Sequence, residues 1–363
     1  MRSARVRMAQ QLVSASALAG AMLATGATAS TRNDPQDEAS TVTIELQATL
    51  TAEVQAPHRH QRGVVSVRFT PDGRELLAGS LDGFVRVWST RTWKLLRAMD
   101  HGAEIYAIAI SPDGAFVAST GGDARVVVWE VKTGAVARRI RLPDVSTTVA
   151  FAPEGRLLCA PRGAGVWELD PHTGQVVRTI EQVSDVPTVA VSPDGRTVAT
   201  TRPTRLWDRN DPAAEPVNLG GYGGGELAFS PDGQLLLSGE WMPYALVWSI
   251  PDRALRSILK HPVQQLGMTP NGLETFDVVT PVPAAAFSPR GQYVATGGVD
   301  KVVRLWSVEN GAVQQDAPLA ELREPHGTVT SVAFSPDGAL LAAASLDRTV
   351  RVWRLSVSQD GNE

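Results

Sequence analysis

The sequence predicts an all-β chain folded as a seven-bladed β-propeller of four-stranded antiparallel blades, and three observations carry that prediction. The first is a turn of the type Ser/Thr-Pro-Asp-Gly whose proline is followed at a fixed distance by a tryptophan. Pro71 stands seventeen residues before Trp88, and the same spacing joins Pro112 to Trp129, Pro231 to Trp248, Pro289 to Trp306 and Pro336 to Trp353. Pro153 with Trp167 and Pro193 with Trp207 form the same unit three residues shorter. Self-similarity at a period near forty residues is the mark of a repeat architecture.

The second observation is that each unit divides into four short strand-like runs. In the first unit Val64 to Phe69 is β-branched and ends in Thr70-Pro71-Asp72-Gly73. Proline presets φ, aspartate suits the next turn position, and glycine takes the left-handed conformation that closes a tight hairpin. Glu75 to Ser80 returns, Leu81-Asp82-Gly83 turns, and Phe84 to Trp88 and Lys94 to Met99 complete the set. Four antiparallel strands in about forty residues make one blade. Charged outer runs such as Ala137-Arg138-Arg139-Ile140 suit an edge strand that must not pair with other chains.

The third observation concerns closure. After Trp353 only Arg354 to Glu363 remain, too polar a stretch to supply the outer strand of a last blade. Near the start, Ile44, Leu46, Ala48, Leu50, Ala52 and Val54 alternate with polar residues, a period-two strand pattern. This segment is expected to supply the missing outer strand and so join the two ends of the chain.

Composition sets the remaining bounds. With 43% apolar and 20% charged residues and a formal charge of -4, the 363 residues suit one repeat array and offer no basic surface for nucleic acid. Residues 1–29 read as a secretory signal peptide: Arg2, Arg5 and Arg7, an apolar stretch from Leu12 to Leu23, then Ala27-Thr28-Ala29. Residues 30–40 read as a flexible linker, 41–356 as the propeller and 357–363 as a disordered tail. An exported, periplasmic or extracellular, monomer without stable membrane insertion is expected; the alternative is a cytoplasmic protein. Cys159, the only cysteine, sits in an apolar run and reads as a buried hydrophobe.

These residues resemble the WD-repeat (beta-transducin repeat) family, in a divergent, bacterial-type form, over roughly residues 42 to 356. The family pattern places a histidine before the first strand, a serine or threonine and an aspartate around the second turn, and a tryptophan ending the third strand. His60, Ser80, Asp82 and Trp88 match it in the first unit, and His326, Ser345, Asp347 and Trp353 in the last. The second unit keeps His101, Asp123 and Trp129 with Gly121 at the serine position; the sixth keeps Asp300 and Trp306 without a matching histidine. The resemblance implies that these groups form buried structural tetrads and that the chain is a non-catalytic scaffold for a protein or peptide. Only Trp207-Asp208 is a literal Trp-Asp pair, and units three to five lack the tetrad.

Irregularities fall mainly on the face built by the second turns, opposite the Ser-Pro-Asp-Gly turns. Arg162 and Arg202 lie in the shortened turns, and Glu240-Trp241-Met242-Pro243-Tyr244 fills the fifth. Aromatics with arginine are typical interface anchors, so Arg162, Arg202, Trp241 and Tyr244 are the candidate partner-binding residues. The alternative is that Trp241 and Tyr244 pack beneath the insertion at 261–283, which reads as a long loop. No catalytic constellation, cofactor motif or metal-ligand spacing stands out. The run from Gly220 to Gly225 lacks the Lys-Ser/Thr of a phosphate loop and reads as a flexible link. A second function class stays open: an extracytoplasmic enzyme or ligand-binding propeller, lactonase-like or quinoprotein-like, with a central-channel site. Ser66, Ala107, Thr148 and Thr188, at the channel end of the first strands, favour the scaffold.

Overall fold

In a computed structural model of the chain, every regular element among the described residues is a β-strand, and the strands form seven antiparallel blades around one channel. The structure describes residues 7–9, 26–30, 40–52, 63–181, 188–262 except 212, 264–266, 276–278, and 281–359 except 310. Most of the expected leader and linker, together with His58, His60 and the last four residues, lies outside the described residues.

Blade 1 runs through Val64–Phe69, Glu75–Ser80, Phe84–Ser89 and Leu95–Asp100 in simple sequential order. Blades 2 to 5 repeat that order, ending at the outer strands Val136–Arg141, Val176–Glu181, Val217–Gly220 and Ala254–Lys260. In blade 6 the third strand, Val303–Glu309, pairs with two short pieces, Ala312–Val313 and Ala320–Leu322. Among the described residues the insertion before blade 6 holds a two-stranded ribbon, Gln264–Leu266 against Phe276–Val278, and no four-stranded sheet.

Blade 7 closes the ring as the alternation requires. Ser40–Thr51 pairs antiparallel along Thr349–Gln359, from Ser40 opposite Gln359 to Thr51 opposite Thr349. One bulge between Leu46 and Ala48 switches the even-numbered residues from one face of the blade to the other, so Ile44 and Leu50 are buried on opposite sides of it. Val42 and Ile44 pack into the core between blades 6 and 7, and Ala48, Leu50 and Ala52 into the core between blades 7 and 1. The third strand continues to Gln359, past the expected end of the propeller at residue 356. The same sheet carries Gly26–Ser30 and Arg7–Ala9 beyond the closing strand.

The repeated turn explains its own sequence. Thr70 donates from Oγ1 to Asp72 Oδ1 at 2.6 Å, and the same carboxylate accepts the Arg74 N–H at 3.0 Å, while Gly73 sits at φ 70°. These bonds hold Asp72 below the usual carboxylate range, with the Thr70 hydroxyl contributing most. Each turn also leans on its neighbour: Pro71 lies under Gly114 and Pro336 under Gly73, so this contact too runs across the closure. A side chain at either glycine would strain the turn, and at Gly114 it would also crowd Pro71.

Cys159 has no exposed surface, and burial pushes its thiol up to about 12, which makes it an inert core group.

Candidate functional site

The buried hydrogen-bond relays form in blades 2 and 6. In blade 2 the Trp129 indole N–H donates to Ser119 Oγ at 3.0 Å. Ser119 meets His101 Nδ1 at 2.8 Å, and His101 Nε2 meets Asp123 Oδ1 at 3.2 Å. In blade 6 Trp306 donates to Thr296 Oγ1 at 2.8 Å, and His261 Nε2 meets the same hydroxyl at 2.9 Å. Arg304 Nη1 lies 2.7 Å from His261 Nδ1, so that nitrogen accepts and Nε2 carries the proton. Asp300 pairs with Arg304 and stands 3.4 Å from the ring.

Two expectations are thereby corrected. The relay hydroxyl lies two residues earlier than Ser80 and Ser345, at the position of Ser119 and Thr296. In blade 1 Leu76 is the register partner of Trp88, and Ser80 lies four residues further along the strand, roughly 13 Å away at 3.3 Å per residue. The indole cannot reach it, and the position within reach is Ala78. Blade 7 repeats this with Leu341 opposite Trp353, Ala343 within reach and Ser345 beyond. Ser80 instead donates to the Gly63 carbonyl at 3.0 Å, and Ser345 accepts the Asp347 N–H at 3.2 Å. The second correction is that blade 6 does have its histidine, His261.

Blades 1 and 7 carry at the second turn an arginine–aspartate ion pair like the one Arg304 and Asp300 make in blade 6. Arg86 forks onto Asp82 at 3.2 and 2.7 Å, and Arg351 Nη1 reaches Asp347 Oδ2 at 2.7 Å. His326 keeps its ring exposed and contributes only its backbone N–H, to Asp347 at 2.7 Å. Burial opposes the charge on Asp347, yet bonds from Thr349, His326 and Arg351 hold it at about 2. All these acids link a second turn to the strand or segment beside it, a structural task. Blade 4 keeps half a relay, Trp207 to Thr200 at 3.0 Å. In blade 3 Trp167 donates to the Ala164 carbonyl at 3.1 Å.

The channel is lined by a belt. On each first strand, the residue five before the turn proline faces the next blade. Ser66 accepts the Ile108 N–H at 3.4 Å, Thr148 the Val189 N–H at 3.1 Å and Ser331 the Val67 N–H at 3.2 Å. Blade 5 has Glu226 there, and its carboxylate reaches the Ala285 N–H of blade 6 at 3.2 Å and the Val332 N–H of blade 7 at 3.4 Å. It also accepts Ser331 Oγ at 2.8 Å and Arg68 of blade 1 at 3.1 Å. Glu226 thus covers for blade 6, whose equivalent residue is Ala284.

On the second-turn face the structure brings Arg202 and Trp241 together. The Arg202 guanidinium carbon lies 5.9 Å from the indole ring centre, a cation–π contact. Trp241 is 56% exposed and is seated across Gly224, where a Cβ would fall 1.9 Å from the indole nitrogen. Tyr222, on the same glycine loop, is 69% exposed and was not among the expected binding residues. Its signal in the sequence was an aromatic isolated in a glycine run. Tyr244 packs partly buried against the Leu219, Leu246 and Trp248 cluster, so it supports the surface rather than forming it. Arg162 is exposed on the equivalent turn of blade 3.

The glycine loop is built around a carboxylate and is no mere flexible link. Gly220, Gly221, Gly223 and Gly224 all have positive φ. The loop turns its Gly223 N–H onto Glu240 Oε2 at 2.5 Å, while Ser238 Oγ donates to Oε1 at 2.7 Å. Glu240 has no exposed surface, and burial pushes its carboxyl above the usual range against those bonds. Successive N–H groups in left-handed conformations make an anion nest, here filled by the chain's own side chain. Because Ser238 serves Glu240, the Trp248 indole N–H is left without a partner.

A ring of seven antiparallel blades, two of which are tied at the second turn by a buried tryptophan–hydroxyl–histidine relay, is a propeller of the WD-repeat class. Residues 52–89, 93–130, 277–307 and 317–354 match the family model described as WD domain, G-beta repeat. The chain is a member of that family. Those four stretches fall on blades 1, 2, 6 and 7, and the candidate surface lies on the blades between them. Among the described residues no helix is long and apolar enough to cross a membrane, and no cluster of three or more His, Cys, Asp or Glu could hold a metal ion.

Proposed function

We propose that the chain is a non-catalytic scaffold that binds a protein or peptide on the second-turn face of blades 4 and 5. WD-repeat propellers typically mediate protein interactions, and the platform of Arg202, Trp241 and Tyr222 is the observation that carries the reading to this face. Large, rigid aromatics beside arginine are the side chains that dominate interface energetics, and loops on a rigid ring present them with little ordering cost. The channel supports the same reading, since Arg68 and Glu226 are engaged with each other and with the belt. The proposal has the chain exported, on the leader read from residues 1–29, and acting as a monomer.

A photo-crosslinking residue in place of Tyr222 tests it in the source cells. A discrete adduct that disappears in Trp241→Ala, while the variant melts like the parent, is the expected result. Adducts that are unchanged by Trp241→Ala and by Arg202→Ala would remove this face from consideration. Amino-terminal sequencing of the mature chain, expected to begin after Ala29, tests the export reading.

A further inference from the structure

We propose a second site on the face opposite the platform: a cleft between blades 5 and 6 in which Arg290 receives the carboxylate of an apolar acid, either a free small molecule or the carboxyl end of a chain. The site does not depend on the platform reading.

The sequence marks it at one aligned position. Five of the repeated turns pair a hydroxyl with an aspartate two residues on: Thr70 with Asp72, Ser111 with Asp113, Ser192 with Asp194, Ser230 with Asp232 and Ser335 with Asp337. In each, the same carboxylate accepts the backbone N–H two residues further along. Blade 3 keeps an acid there, Glu154, but blade 6 reads Ser288-Pro289-Arg290-Gly291. A guanidinium accepts no hydrogen bond, so both bonds are lost. The turn nonetheless keeps its shape, with Gly291 at φ 71° and Ser288 Oγ still accepting the Tyr293 N–H at 2.9 Å. Nothing in the turn replaces what was lost, since Arg290 is exposed and has no ion pair among the described residues. A local rule broken without structural compensation marks a functional position.

Arg290 lines a cleft of about 660 Å³, a volume within the range of small-ligand sites. Leu235, Phe287 and Val308, with the rings of Pro231, Pro251 and Pro289, give the cleft apolar walls. Gly311 and Ala312, where the outer strand of blade 6 begins, bring no bulk to fill it. The other ionic groups that line it are already engaged. Asp232 is held by Ser230 Oγ and the Gln234 N–H, and Asp252 accepts Ser249 Oγ at 2.9 Å and pairs with Arg256. Among the described residues Arg290 is therefore the cation of this cleft that has no anion, and a ligand must supply one. A carboxylate meets a single guanidinium in bidentate geometry. A phosphate dianion would bring a second charge towards Asp232 and Asp252, so the lone arginine favours the carboxylate. The apolar walls take the group that carries it.

Isothermal titration calorimetry with the full chain tests this. The probes are phenylpropionate, its uncharged amide, and a short alanine peptide ending in phenylalanine with either a free or an amidated carboxyl terminus. The carboxylates are expected to bind and the amides to bind at least about tenfold more weakly, the loss of one charge-assisted contact. Whichever carboxylate binds more tightly names the source, free acid or chain end. Arg290→Asp restores the turn of the other blades. It should abolish binding and raise the melting point by about 2 °C or more, the return of two hydrogen bonds. Arg290→Gln should also lose binding while melting like the parent. Equal binding of acids and amides, binding of neither, or binding that survives Arg290→Asp would overturn the assignment. A melting point lowered by Arg290→Asp would overturn it too, because the arginine would then be a structural group of the turn.

Discussion

Arg68 of blade 1 and Glu226 of blade 5 meet across the central channel, Nη2 to Oε1 at 3.1 Å. Blades 1 and 5 are far apart in the ring, so this pair and the belt bonds of Glu226 tie blades 1, 5, 6 and 7 together at one carboxylate. Glu226→Ala would leave two backbone N–H groups, Ser331 and Arg68 without their acceptor. A loss of roughly 2 to 3 kcal/mol follows from stranding such groups, and calorimetry should register a melting point lower by about 5 °C. Glu226→Gln should lose less, because it keeps a carbonyl acceptor. A variant with alanine that melts unchanged would show the channel contact to be idle.

The closing strand is a separate element of stability. Ser40–Thr51 contributes buried residues to two inter-blade cores and the whole outer edge of blade 7. Deleting residues 41–51 should expose both cores and the paired edge of Thr349–Gln359, giving aggregation or a broad, uncooperative melt. A monodisperse deletion variant with the parent's sharp transition would contradict the role assigned to this strand.

A missing relay can be restored. The Trp353 indole N–H is buried and has no hydrogen-bond partner, and Ala343 occupies the place that Ser119 and Thr296 hold in blades 2 and 6. Ala343→Ser should supply the acceptor and stabilise the fold by about 1 kcal/mol. The opposite change, Ser119→Ala, should cost at least as much, because it strands both Trp129 and His101. Paired denaturant titrations of the two variants check the signs.

How far the sequence carried these conclusions depends on the range of each interaction. The turn-to-tryptophan spacing and the alternation from Ile44 to Leu50 report local hairpins and strand faces, and both were legible because local geometry imposes them. The relay hydroxyl was misplaced by two residues, because the choice between Ala78 and Ser80 depends on register with Trp88. His261 escaped notice because the insertion separates it from Thr296 by 35 positions. Glu226 is a single acid in a first strand, and only the closed ring places it opposite Arg68. Trp241 and Arg202 were both identifiable from residue type and turn position. Their stacking was not, since it depends on how two blades abut at Gly224.

The relay histidines should make the fold acid-sensitive in a particular window. Burial lowers the titration of both His101 and His261 below the ordinary 6.5, against the pull of Asp123 and Asp300. The unfolded chain therefore takes up protons first as pH falls. Stability is intact above 6.5 and declines below it, down to the depressed folded values, by at most about 1.4 kcal/mol per histidine for each pH unit. The bonded aspartates titrate below 3.8 and so act later. Melting points measured between pH 8 and 5 should fall, and His101→Asn with His261→Asn should flatten that fall even if it lowers the plateau. An unchanged slope in the double variant would mean the histidines are not the source.

Glu240 should behave in the opposite sense. Its carboxyl is raised above the usual value by burial, although Ser238 and the loop N–H groups favour the charge. For an acid raised in the folded state, the unfolded chain ionises first as pH increases. Stability is then fullest below the ordinary value near 4.5 and is lost as pH climbs through the folded value. Glu240→Gln removes the buried charge and keeps an oxygen to accept the Gly223 N–H, so it should be neutral or stabilising by roughly 1 kcal/mol at neutral pH. Its advantage over the parent should grow from pH 5 to pH 8. Glu240→Ala should destabilise at every pH, because it strands Ser238 and Gly223 and empties the nest. The two variants also separate the roles of charge and shape beneath the platform: the glutamine chain should hold Tyr222 and Trp241 in place, as read by the crosslink at Tyr222, while the alanine chain should not. A glutamine variant less stable than the alanine variant would mean that the loop is held by the charge itself.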